Sequence, residues 1–306
     1  MPEDGLLLAA PSLTAGVALT LPLYVPPGPA LAPYVAYFVL VDLQAHGNQL
    51  PASPFPMLFF HGQPHGIRYQ EDGLGPFLPQ AMLSGPTLRS RRSQSIQADW
   101  MLAVAFHAGQ ISRLFDIQAD LLTDQLLPLE GVLGVAQTAL WLEALCEAKG
   151  ALERLLVLQD RLIAQLELRF AQQRLSPLDQ LGARALNQPL LQLARDCGWS
   201  LRQFERRFQQ QFGLAPERYR QLARFTRVLG LLMQQRGHGP TLAQLAQAAG
   251  YADQAHFTRD FSQFCGTTPG RFRQQLAQDP AFWAFRMPST QTQDIMNRVR
   301  FHRHQA

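Results

Sequence analysis

Two arginines, Arg206 and Arg259, occupy the same place in two copies of one pattern in the second half of this 306-residue chain. A guanidinium offers two parallel N–H groups that match the guanine edge in a DNA major groove, and a glutamine amide can match adenine in the same way. In the first copy Arg202, Arg206 and Gln209 fall at i, i+4 and i+7, with Leu201, Phe204, Phe208 and Phe212 as an apolar stripe on another side. In the second, Phe257, Phe261 and Cys265 are expected to face inward, leaving Gln254, Thr258, Arg259 and Ser262 toward solvent. A solvated face is the ordinary reading of any single arginine. Recurrence at an equivalent position in a basic segment favours contact with a polyanion instead.

The repeat that picks out these residues runs through Leu193-Ala194, Gly198, Trp199, Phe204, Arg206, Phe208, Gly213 and Pro216. Its counterparts are Leu245-Ala246, Gly250, Tyr251, Phe257, Arg259, Phe261, Gly266 and Pro269, at an offset of 52 up to the turn aromatic and 53 beyond it. Each copy reads as a short helix, a Gly-aromatic turn and a second helix closed by Gly and Pro. Ser200 with Gln203 and Thr241 with Gln244 form capping-box patterns, and Asp253 is placed to cap the second helix of the second copy. Helix, tight turn, helix is the plan in which the second helix enters a major groove. Pro216 through Gln235 reads as one connecting helix, and about twenty residues at ~1.5 Å each give roughly 30 Å, close to the ~34 Å between successive turns of one DNA face.

The first half is built differently. Of the 22 prolines, 14 precede residue 91, which breaks long helices and favours short strands, with candidates at Tyr34–Leu43, Met57–His61, Ala81–Ser84 and Met101–Phe106. From Leu129 the pattern turns helical, with Leu133, Ala136, Leu140, Leu152, Leu155, Leu156, Leu162, Leu166 and Phe170 as its stripe and Gly150 as a break. That stripe fits an intramolecular core or a dimerising helix pair.

Charge follows the same division. The net +4 conceals residues 1–175, with 10 basic and 15 acidic side chains, and residues 176–306, with 17 and 8. Cationic side chains are almost all arginine, Lys149 being the one lysine. Cys146, Cys197 and Cys265 are too sparse for a disulfide scaffold or a structural zinc site, so a reducing, cytoplasmic setting is expected. The apolar run Leu6 to Val25 contains Pro11 and Pro22 and lacks a basic leader, which argues against a membrane span or secretory signal. His61 and His65 lie in a Gly/Pro-rich loop without the His-x-His plus Glu array of metal-binding barrels, and His302 and His304 sit in a basic tail. Neither a nucleophile elbow, a phosphate loop nor a paired-carboxylate motif occurs, so no cofactor, metal or catalytic residue is expected.

At the repeat the chain resembles a known family. Pro189 to Arg273 is similar to the AraC/XylS family of bacterial transcription regulators, whose DNA-binding domain is two helix-turn-helix units joined by a long helix. The run Leu245-Ala-Gln-Ala-Ala-Gly-Tyr-Ala-Asp-Gln-Ala-His-Phe-Thr-Arg-Asp-Phe, followed by Gly266, Thr267, Thr268 and Pro269, carries most of the likeness. Arg89 to Leu166 resembles, more distantly, the sensor arm of an AraC subgroup in which a small β domain precedes paired helices.

The resemblance implies an α+β chain: a small β-rich, cupin-like sensor domain over 1–128, a helical linker and candidate dimerisation element over 129–175, an all-α double helix-turn-helix domain over 176–276, and a tail over 277–306. It implies base-facing roles for Arg202, Glu205 and Arg206 on the first reading helix and for Gln254, His256 and Arg259 on the second. In the repeat register Ala255 stands opposite Arg202 and His256 opposite Gln203, so the two units should read different bases of a non-palindromic site. Arg218, Arg220, Arg271 and Arg273 follow the Gly-x-x-Pro turns, where phosphate contact and intramolecular pairing are equally open. Double-stranded DNA is the implied partner, with a small-molecule effector, RNA polymerase and a second copy of the chain as further candidates. Two other readings stay open: a small-molecule-binding or enzymatic first half carrying a helical protein-interaction module, and a methyl-accepting repair regulator, which the absence of a cysteine cluster disfavours.

Overall fold

Short proline-bounded segments of alternating polarity can bury their apolar side chains by pairing as strands, and the first half of the chain does so. A computed structural model describes residues 23–43, 47–69, 75–170, 176–181, 187–234 and 240–278. The apolar run from Leu6, the boundary at Leu175, Gly237 after the connecting helix, and the tail with His302 and His304 lie wholly or mostly outside the described residues.

The described strands are β1 (Leu23–Val25), β2 (Val35–Leu43), β3 (Gly47–Leu50), β4 (Met57–His61), β5 (Ile67–Tyr69), β6 (Ala81–Ser84), β7 (Arg91–Ser95), β8 (Asp99–Phe106) and β9 (Leu126–Pro128). They form a six-stranded sheet in the order β1-β2-β8-β4-β6-β9 and a three-stranded sheet in the order β3-β7-β5. Each pairing is antiparallel; in the larger sheet Phe38 and Leu58 both stand opposite Val104, and Leu40 and Phe60 opposite Leu102. The four expected strands thus appear as β2, β4, β6 and β8.

Period-two alternation gives the large sheet two buried faces. On one, Leu102, Val104 and Phe106 of β8 join Phe38, Phe60 and Leu83 under the helices that follow the sheet. These are α1 (Ile111–Phe115), a 3-10 turn at Ala119–Leu122, α2 (Glu130–Leu133), α3 (Val135–Glu147) and α4 (Ala151–Phe170). Trp141, Leu145, Leu155, Leu158, Leu162 and Leu166 supply the helical side of this core. Leu140 and Leu156, expected in the apolar stripe, are instead half exposed. The face of α3 is turned by one residue because Trp141 offers the larger apolar surface and seats its ring 6.3 Å from that of Phe60. Gly150, at φ +110°, turns the chain between α3 and α4.

On the other face Val39, Val41, Met101 and Ala103 meet Ile67 of the small sheet. A small cavity of about 40 Å3, open in part to solvent, lies between the sheets, lined by Leu43, Leu50, Phe59, Ile67, Leu78, Met82, Met101 and Leu126 together with Tyr69, Ser93 and Ser95. The Ser95 hydroxyl is buried there without a hydrogen-bond partner.

The second half is helical: α5 (Leu190–Asp196), α6 (Leu201–Phe212), α7 (Pro216–Gln234), α8 (Leu242–Ala248), α9 (Gln254–Cys265) and α10 (Pro269–Gln278). One aromatic-rich core, with Phe204, Phe208, Phe225, Phe257, Phe261, Phe264 and Phe272, runs through all six, and Ala52, Leu88 and Ala108 of the β domain join it. Among the described residues no helix is long and apolar enough to cross a membrane.

Candidate nucleic-acid interface

The geometry of each unit follows from its turn. After α5 and after α8 the chain needs a left-handed residue, supplied by Gly198 at φ +70° and Gly250 at φ +79°. The aromatic that follows closes the turn identically in both copies: Trp199 N–H donates to Ala194 O at 2.9 Å and Tyr251 N–H to Ala246 O at 3.0 Å. Caps then start the helices. Ser200 and Gln203 make the reciprocal capping box on α6, Thr241 and Gln244 do so on α8, and the Asp253 carboxylate accepts from His256 N–H at 2.6 Å on α9. That bond holds the Asp253 carboxyl below the usual carboxylate range.

Phe204, Phe208 and Phe212 of α6, and Phe257, Phe261, Phe264 and Cys265 of α9, are buried. Leu201, expected in the first stripe, is exposed, because it opens the helix beyond the edge of the core. On the free sides Arg202, Glu205, Arg206 and Gln209 of α6 and Gln254, Ala255 and Arg259 of α9 are exposed, so each helix presents its own polar set. His256 is drawn partly inward: its Nε2 lies 3.6 Å from Asp260 Oδ2 and its ring stands edge-on to Tyr251. Thr258 donates its hydroxyl back to Gln254 O at 2.8 Å. The six base-facing candidates therefore fall into two sets, one per helix.

The four arginines after the turns separate. Arg218 lies 4.9 Å from the centre of the Phe264 ring and donates to Gln221; Arg220 pairs with Glu217 at 3.1 Å and donates to Gln188 O; Arg273 donates to Pro240 O at 2.9 Å. Arg271 is exposed. Sequence reasoning missed Asp260, which is buried and accepts from Gln221 Nε2 at 2.8 Å, tying α9 to α7. Its signal was a carboxylate set beside Phe257 and Phe261 in an otherwise apolar face.

The three thiols, and the histidines His61 and His65 of the first half, have structural surroundings. Burial pushes the Cys265 thiol up to about 12, Cys197 is half-buried and Cys146 exposed. His61 is fully buried, donates from Nε2 to Pro79 O at 3.1 Å and sets Nδ1 3.7 Å from Asp99, while burial lowers its pKa. His65 is exposed and packs edge-on against Phe77, so the two histidines do not converge.

Two helix-turn-helix units on one connecting helix define a DNA-binding domain. Residues 193–275 match the family described as helix-turn-helix domain, so this part of the chain is a helix-turn-helix domain. Residues 24–128 match a domain of unknown function (DUF6597). No curated protein matches the chain. Among solved structures, ToxT from Vibrio cholerae O395 is similar at 11% identity and TM-score 0.43, over 79% of this chain and 98% of that one. ToxT of strain SCE256 with bound unsaturated fatty acid gives 9% and 0.43, over 77% and 94%. An AraC-type regulator from Chromobacterium violaceum gives 28% and 0.28, over 34% and 90%.

Proposed function

We propose that the chain is a sequence-specific regulator that reads two consecutive major grooves, one with α6 through Arg202, Glu205 and Arg206 and one with α9 through Gln254, His256 and Arg259. The observation that carries this is the repeat itself: two equivalent helices, each entered through the same glycine turn and each presenting an exposed arginine at the duplicated position. The spacing supports it, since the 19 residues of α7 span about 28 Å at ~1.5 Å each, near the ~34 Å of one helical turn of DNA. Arg271 is the phosphate contact of the four candidates, because its guanidinium is the exposed one; Arg218, Arg220 and Arg273 hold the domain together.

In this reading the β domain is a sensor, and the cavity between its sheets is where a small, largely apolar effector binds, its walls of Leu, Phe, Ile and Met matching apolar surface and Ser95 Oγ accepting or donating one hydrogen bond. Val135, Leu140, Leu156 and Leu168, exposed on α3 and α4, give a surface for a homodimer. The protein works in the cytoplasm, engages RNA polymerase at its promoters and carries out no catalysis.

The test is selection of bound duplexes from a random pool at two salt concentrations. Two short enriched blocks about one turn apart, with affinity falling steeply as salt rises, are expected. One block alone would leave a single reading helix, and no shift of duplex DNA at moderate salt would overturn the assignment.

A further inference from the structure

An α-helix leaves its last four carbonyls without intrahelical partners, and something must satisfy those that are buried. At both reading helices that partner comes from the β domain. At the end of α9, Gln49 Nε2 donates to Cys265 O at 2.8 Å and Ala52 N–H donates to Phe264 O at 2.8 Å. At the end of α6, Ser112 Oγ donates to Gln211 O at 3.3 Å and Thr123 Oγ1 donates to Gly213 O just beyond the helix. The fit is close at both points: a Cβ on Gly266 would collide with Ser90, and one on Gly213 with Pro86.

The two contacts belong to one corner of the β domain. Asp124 accepts from Leu88 N–H at 2.7 Å, donates its own N–H to Pro86 O at 2.9 Å and gives its carbonyl to Arg91, so the segment that holds α6 is fastened to the segment beside α9. The same corner borders the cavity. Gln49 precedes Leu50, which lines it; Thr123 lies just before Leu126, which also lines it. The seam is behind the reading surface, for the exposed Arg202, Arg206, Gln254 and Arg259 lie toward the opposite ends of their helices, where such helices meet bases.

We propose that the β domain is a brace that fixes the separation of the two reading helices within one chain, and that an occupant of the cavity which moves β3 or β9 changes which operator spacing is bound. This rests on the DNA-reading assignment above. A mask over the DNA surface would cover the N-terminal halves of α6 and α9; this contact leaves them open and grips their far ends. By linkage, binding an operator of the preferred spacing must favour the cavity shape that the braced state has.

The full chain and its variants Gln49→Glu and Thr123→Val, each confirmed folded by thermal melt, are used to select duplexes from a random pool. Wild type is expected to enrich two blocks at one spacing. Each variant is expected to enrich the same two blocks over a wider range of spacings and to bind the wild-type spacing about tenfold more weakly. The same single spacing and affinity in both variants would overturn the brace and leave base reading intact; no enriched block for wild type would overturn base reading and the brace with it. If Gln49→Glu does not fold, Thr123→Val and Ser112→Ala, which each remove one hydroxyl, carry the same comparison.

Discussion

The two helix-turn-helix units share a turn and a core but place charge in opposite ways. At one repeat position the first unit has Arg207, exposed, with its guanidinium 4.4 Å from the centre of the Trp199 ring; the second has Asp260, buried and bonded to Gln221 of α7. The first helix is capped by a neutral serine box and the second by an anionic Asp253. The two units therefore share a backbone plan, but one carries a surface charge where the other has an internal tie. The first unit sets Arg207 over the Trp199 ring at its surface, and the second helix is held in position by a polar network.

That contrast predicts its largest effect at the divergent position. Asp260→Ala removes the buried acceptor of the half-buried Gln221 amide and should lower unfolding stability by about 2 to 3 kcal/mol, whereas Arg207→Ala, at the surface, should cost roughly 0.5 kcal/mol or less. Equal losses in denaturant titrations would erase the distinction between the units. Next come the duplicated arginines: Arg206→Ala and Arg259→Ala should each lose about 1 to 3 kcal/mol on the selected site and relax preference at different base positions. A matching loss on random duplex would show that both contact phosphate instead.

The caps give smaller effects than Asp260 or the duplicated arginines. Ser200→Ala should cost about 1 kcal/mol at any pH, measured by thermal unfolding. The Asp253 cap is different because its carboxyl is held below the ordinary carboxylate range. Its contribution is complete above the unfolded-state value, near ~3.9, and is lost as pH falls through the lower folded-state value. Asp253→Asn should therefore flatten the acid side of the stability profile, and a profile unchanged by that substitution would break the comparison.

Much of the second half was legible because its determinants are local. Capping boxes close over three residues, the turn glycines need positive φ, and Phe204, Phe208 and Phe212 repeat at helical spacing, so sequence pattern and backbone agree. The small sheet was hidden for the opposite reason. Its strand Arg91-Arg-Ser-Gln-Ser95 reads as polar, yet Ser93 and Ser95 are buried against the cavity, a placement that depends on partners far along the chain. Leu140 misled because two overlapping apolar faces compete on α3 and the larger Trp141 takes the core. The seam at Gln49, Ser112 and Thr123 left no trace, since polar side chains donating to helix carbonyls follow no period.

One pairing also sets two clocks for folding. In the large sheet β2 lies against β8, with Val35 opposite Phe106, so closing the β domain means bringing together chain segments separated by much of its length. The helical half forms mostly through near neighbours, and contacts of that kind assemble faster. During refolding the helical signal should therefore precede the sheet, and the donors at Gln49 and Thr123 should reach their carbonyls last. A newly made molecule passes through an interval in which its two reading helices exist but their spacing is not yet set.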